Sequence, residues 1–223
     1  SYCPFCHKQI AWYDNIPLLS FIFLAGKCRN CKKSISWQYP LVELSAGLLF
    51  VLSYFVNKSD LSNNIFINLE ILKFWFLVAV MIIIFVYDLR WYLILDKITI
   101  PATIIVFIIN ILLGFSWINL LMSGILGGSF FLIQFLVSQG KWIGGGDIRL
   151  GLLMGVALGE WGYLVLALFL AYLIGSIIGL FLMFTGKKEW GSKIPFGIFL
   201  STATLITLFW GEFLLNWYLG HLT

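Results

Sequence analysis

From Phe74 to Val86 every side chain is apolar, and from Ile98 to Leu113 none is charged. Runs like these leave no face for water, and very few folds accept them. A hydrocarbon core of roughly 30 Å takes about 20 helical residues per crossing. The other structure that satisfies its backbone in lipid is a closed β-barrel, which needs alternation with a period of two over about ten residues. Unbroken apolar runs do not alternate, so the helical reading holds. Composition agrees: 61% of the 223 residues are hydrophobic and 11% charged, with a mean hydropathy of +0.99. Average soluble domains carry about a quarter charged residues. The balance excludes an ordinary soluble enzyme, a disordered chain and a nucleic-acid binder.

The expected fold is an all-α polytopic membrane protein behind a small polar domain, residues 1–40. About seven helices follow in 41–223: Leu41 to Val56, Leu72 to Asp88, Thr99 to Phe115, Trp117 to Ser138, a short Leu150 to Leu158, Trp161 to Phe184, and Ile194 to Tyr218. A polar loop, Asn57 to Asn68, and a basic one, Thr185 to Lys193, break the series. Excess Lys and Arg marks cytoplasmic loops. With residues 1–40 in the cytosol, that side holds Lys8, Lys27, Arg29, Lys32, Lys33, Arg90, Lys97, Lys141, Arg149, Lys187, Lys188 and Lys193, against Lys58 and Lys73 opposite. The net charge of +4 is then mostly an orientation signal. Tryptophans near helix ends, among them Trp37, Trp91, Trp117, Trp142, Trp161, Trp190 and Trp217, fit interfacial anchoring. Gly151, Gly155 and Gly159, and again Gly175 and Gly179, recur at the spacing that lets helix backbones meet.

All four cysteines precede residue 32, as Cys3-Pro-Phe-Cys6 and Cys28-Arg-Asn-Cys31. Two thiolates on a tight turn occupy two corners of a tetrahedron, and two such turns complete a closed Zn²⁺ site. Nearby basic residues favour thiolate. A redox or disulfide role is the alternative, and His7 is a substitute ligand or a surface histidine. Four sulfurs leave no open position, so the zinc is expected to be structural, adding stability that so short a domain lacks.

Charge within a membrane helix is costly and by default marks function. Asp88 ends the second helix, and Asp147 follows three glycines in Gly144-Gly145-Gly146-Asp147. Both fall at the cytoplasmic ends of their helices and share a depth. Two carboxylates brought close cannot both ionise easily. The ionised one takes a proton from water while the protonated one donates a hydrogen bond to a carbonyl, as in an aspartic protease. The glycines are expected to let the backbone unwind for an extended peptide. Against this, Asp147 is also a candidate N-cap and Asp88 a candidate ion-pair partner of Arg90 or Lys97. Asp96 competes for the first catalytic position but suits an N-cap, and Glu43 suits a helix-dipole or cytosolic-interface role.

These residues carry a resemblance. Cys3 to Cys6, Asp14-Asn-Ile-Pro-Leu-Leu-Ser20, Gly26-Lys-Cys-Arg-Asn-Cys31 and Ile35-Ser-Trp-Gln-Tyr-Pro-Leu-Val-Glu43 resemble the cytosolic domain of type IV prepilin peptidases. Tyr87-Asp88-Leu89, Gly144 to Asp147 and Lys193-Ile-Pro-Phe-Gly197 resemble that family's membrane motifs. The resemblance implies an aspartic protease of the GxGD type in the bacterial cytoplasmic (inner) membrane, with zinc domain and active site on the cytosolic side. It implies cleavage of the basic leader of type IV prepilin or pseudopilin precursors and N-methylation of the new terminus from S-adenosylmethionine. By position, Asp88 and Asp147 become the catalytic pair, and Cys3, Cys6, Cys28 and Cys31 the zinc ligands. The family has a further N-terminal helix, which would bring seven crossings to eight. Gln38 stands where many members have Arg, and Leu95 where many have Pro. Membrane lipid is the expected surrounding and nucleic acid is not an expected partner. Two rivals remain: an ion-coupled transporter or channel using the intramembrane aspartates, and a non-enzymatic assembly factor recruiting partners through the zinc domain.

Overall fold

The computed structural model describes residues 1–56, 65–186 and 194–220. The chain forms two compact units, Ser1–Tyr54 and Phe55–Thr223. The first membrane helix therefore groups with the cysteine-bearing residues.

In the first unit a 3-10 turn, Trp12–Asn15, and a short helix α1, Leu19–Phe23, lead to α2, Gln38–Val56. Pro40 sits in the first turn of α2, where its missing N–H has no helical partner to lose. Cys3 is the one buried residue before α2, so little apolar burial holds this region together. Glu43 has a sharper role than helix-dipole complement. Its carboxylate accepts the backbone N–H of Leu18 at 2.8 Å. Leu18 has φ +61°, a conformation that costs energy in a branched residue, and that bond holds it at the start of α1.

The second unit is helical: α3 Ile65–Trp91, α4 Asp96–Leu112, α5 Trp117–Ser138, α6 Gly145–Leu158, α7 Trp161–Phe184 and α8 Gly197–Gly220. Helices α2 to α8 fall where seven were expected. Five of them, α2, α3, α5, α7 and α8, are long and apolar enough to cross a membrane. The 17 residues of α4 and 14 of α6 reach only about 25 Å and 21 Å at 1.5 Å per residue. The expected start of α6 at Leu150 is corrected to Gly145. Helix α3 likewise begins before Leu72, at Ile65, so Lys73, expected in the first turn and counted with the side opposite the cytosol, lies about two turns inside the helix and is buried. It no longer counts among that side's charges. Lys58, Lys187, Lys188, Lys193 and Trp190, with most of the two loops expected there, lie outside the described residues.

Glycine brings α5 and α6 into backbone contact. A Cβ on Gly127 would lie 2.2 Å from the Gly151 carbonyl oxygen, and one on Gly155 would lie 2.1 Å from that of Ser123. Gly159 does not share this work: with φ +77° it ends α6 in a left-handed turn. Around this seam lies one core, with Leu77, Met81, Phe131, Leu150, Leu153 and Leu200 fully buried.

Candidate active site and metal centre

In the first unit each CxxC folds into the same small loop. Cys3 N–H donates to the Lys8 carbonyl at 3.0 Å and His7 N–H to the Cys3 carbonyl at 2.9 Å. The second loop repeats this with Cys28 to Lys33 at 2.8 Å and Lys32 to Cys28 at 3.0 Å. Antiparallel bridges, Tyr2 with Gln9 and Lys27 with Ser34, close the two loops. His7 (φ +54°) and Lys32 (φ +59°) occupy the same left-handed position, so His7 turns the chain and stands outside the sulfur cluster. The four Sγ atoms lie within 4.8 Å of one another, and Cys3 and Cys31 are 3.8 Å apart. A metal at a Zn–S distance of about 2.3 Å in a regular tetrahedron sets its sulfurs about 3.8 Å apart. All four cysteines are free of disulfide. The loop N–H groups of Cys6 and Phe5 hold the Cys3 thiol down at about 6. Cys31 receives the Lys33 N–H, yet burial and the neighbouring sulfurs push it up to about 11. The four sulfurs stand close enough to share one cation, and the cluster can hold a metal ion. Beside it, Arg29 grips Asp14 through two hydrogen bonds of 2.8 and 2.7 Å.

In the second unit, Asp88 lies in the last turn of α3 and Asp147 in the first turn of α6, both buried. Asp88 Oδ2 accepts the N–H of Ile198 at 3.2 Å, so the N-terminus of α8 points its free amides at this carboxylate. That approach needs Gly197, where a Cβ would stand 2.8 Å from Asp88 Oδ2. Asp147 Oδ2 accepts the N–H of Gly144 at 2.9 Å. It is the third helical residue reaching back, and Gly144 is the N-cap.

The glycines before Asp147 do not unwind the chain as expected. Gly145 and Gly146 are helical, and Gly146 serves contact, since a Cβ there would lie 2.8 Å from Cβ of Ile94. Ile94 also lies 3.1 Å from a Cβ built on Gly197. One isoleucine thus wedges between the two glycines that adjoin the aspartates. The carboxylates are near enough for the Asp88 charge to act on Asp147. Asp96 is the first residue of α4, not an N-cap, and pairs with Arg149 where both are about half exposed. Sequence reasoning placed the aspartates but not Ile94, Gly197 and the α8 amides around them. The Lys193-to-Gly197 motif held the only signal, and its glycine carries the contact.

The second unit is thus a bundle of apolar helices that buries two carboxylates at one end, each accepting a hydrogen bond at a helix N-terminus. The chain belongs to the type IV leader peptidase family. That family matches residues 75–180, a span containing both aspartates, and the bacterial peptidase A24 N-terminal domain matches residues 1–56. Among curated relatives named prepilin leader peptidase/N-methyltransferase, one from Aeromonas salmonicida (strain A449) is 34% identical over 99% of this chain and 74% of its own. The Legionella pneumophila relative is 31% identical over 99% and 76%. The one from Bacillus subtilis (strain 168) is 30% identical over 98% and 85%. No solved structure matches the chain.

Proposed function

We propose that this multi-pass membrane protein removes the basic leader from type IV prepilin or pseudopilin precursors, with Asp88 and Asp147 as its catalytic pair. The observation that carries the reading is the burial of both carboxylates at one end of the bundle, either side of Ile94. One, ionised, takes a proton from a water whose oxygen attacks the scissile carbonyl carbon. The other, protonated, hydrogen-bonds the carbonyl oxygen as it gains charge. Collapse of the tetrahedral adduct breaks the C–N bond, and the proton taken from water passes to the leaving amine. The pair titrates as a unit, so the roles belong to the dyad. Family membership sets the chain among peptidases rather than ion-coupled carriers or passive recruiters.

The division into a cytosolic metal domain, residues 1–40, and a membrane peptidase domain, residues 41–223, belongs to the same proposal, with the cytosolic face of the bacterial inner membrane as the place of cleavage. The sulfur geometry fits zinc. Cys3, Cys6, Cys28 and Cys31 would hold it, and it would brace the two loops. The relatives' names support a second activity, methylation of the new amino terminus from S-adenosylmethionine.

Replacing Asp88 or Asp147 by Asn is expected to lower cleavage of a precursor peptide by at least about 10³-fold. Cleavage persisting in both variants sinks the mechanism. Adding S-adenosylmethionine to the same assay and weighing the product tests methylation.

A further inference from the structure

Helix α6 stops far short of a full crossing, so its last carbonyls end among buried residues, where each needs a donor. Gly155 is served by the Gly159 N–H at 3.1 Å. The helical partner of the next carbonyl, Val156, would be the N–H of residue 160, but the chain there has left the helix with φ −129° and ψ 142°. The Val156 oxygen instead accepts Nδ2 of Asn110, from α4, at 2.7 Å. Asn110 Oδ1 in turn accepts Nζ of Lys73, from α3, at 3.1 Å. Lys73 is 4% exposed and Asn110 1%. Glu70 is near enough for its charge to act on Lys73. A buried lysine and asparagine inside an apolar bundle are costly, and the peptidase chemistry at the other end does not use them.

We propose that Lys73 and Asn110 are positioning residues, a polar strut that caps the inner end of α6 and fixes it against α3, so that Asp147 stays aligned with Asp88. The inference rests on the reading of those two as the catalytic pair. The strut joins the two helices that carry the aspartates, through α4, at the end away from the chemistry. The ammonium also lies toward the negative pole of α6. At the opposite end the Asp96–Arg149 pair ties α4 to α6 again. Helix α6 is thus bonded to α4 near both of its ends, and the inner bond continues to α3.

The test uses the full chain in detergent with a precursor peptide, rates being referred to folded protein. Lys73→Met and Asn110→Leu are each expected to lower kcat about 10- to 100-fold, the cost of misplacing a reacting group by an ångström or so, while KM stays within about twofold. The double variant should be no worse than the poorer single one, because both cut one path. A dyad pulled apart couples less, so the acid and alkaline limbs of the pH–rate profile should move toward each other. Asn110→Asp is the deciding variant. It keeps an oxygen for Lys73, so the bundle has reason to fold, but it turns a second oxygen on the Val156 carbonyl. Wild-type kcat and profile in Asn110→Asp overturn the strut, as does an effect on melting temperature alone across the series. Should Asn110→Asp not fold, Lys73→Met decides by the same two readings. Asp147→Asn is run alongside. If it still cleaves, the catalytic assignment fails. If it is inactive while the strut variants behave as wild type, only the present inference fails.

Discussion

At the seam between α5 and α6, the backbones of Gly127 and Gly151 leave no room for a single methyl group. In the first 37 residues only Cys3 is buried, and order comes from two turns of backbone hydrogen bonds around four sulfurs. One region is held by contact distributed over many side chains; the other converges on a point, four sulfurs that can hold a metal ion. A point can be removed reversibly, and a distributed contact cannot. The difference therefore predicts opposite responses to the same treatments.

The largest effect should come from the metal. Stripping it with a chelator is expected to remove about 10 kcal/mol or more from the first unit, as in small zinc domains. Proteolysis should then clip residues 1–37, while far-UV circular dichroism barely changes because the helices survive. Metal analysis should return about one zinc per folded chain. A chelated sample as protease-resistant as the untreated one would break the comparison. Gly127→Leu should do the converse, costing the bundle on the order of 3 kcal/mol by overpacking, read as a lower melting temperature with metal content unchanged. The smallest effect belongs to Asp14. Arg29 holds its carboxyl below the ordinary 3.8. A depressed folded value means that the contribution is present above the unfolded pKa and fades as pH falls through the folded one. Arg29 is half exposed while the Asp14 side chain is largely covered, and Asn keeps one oxygen for the guanidinium, so Asp14→Asn should melt within about 2 °C of wild type near neutrality. Even that gap should close below the carboxylate range.

Much of this was legible in the sequence because lipid punishes ambiguity. The apolar runs fixed the helices, the CxxC spacing fixed the sulfurs, and scarcity of charge drew attention to Asp88 and Asp147. What escaped was tertiary. Lys73 reads as a cation at the helix's end until α3 is seen to start at Ile65, since a charge just before an apolar run reads as its boundary. Gly146 resembles a hinge, because glycine permits unwinding as readily as close approach, and only the position of Ile94 decides between them. The capping of Val156 by Asn110 joins residues on different helices and has no local signature.

The shortness of α6 has one more consequence, a matter of parity. By length and apolarity α4 and α6 fall short of the five helices that can each cross a membrane. On the seven-crossing reading, dropping two helices from the alternating series leaves both ends of the chain on the same sides as before, so tags at the termini would not distinguish five crossings from seven. Only α5 would be drawn upside down, and Asp147 would land across the membrane from Asp88. A reporter inserted between α5 and α6 distinguishes the two drawings.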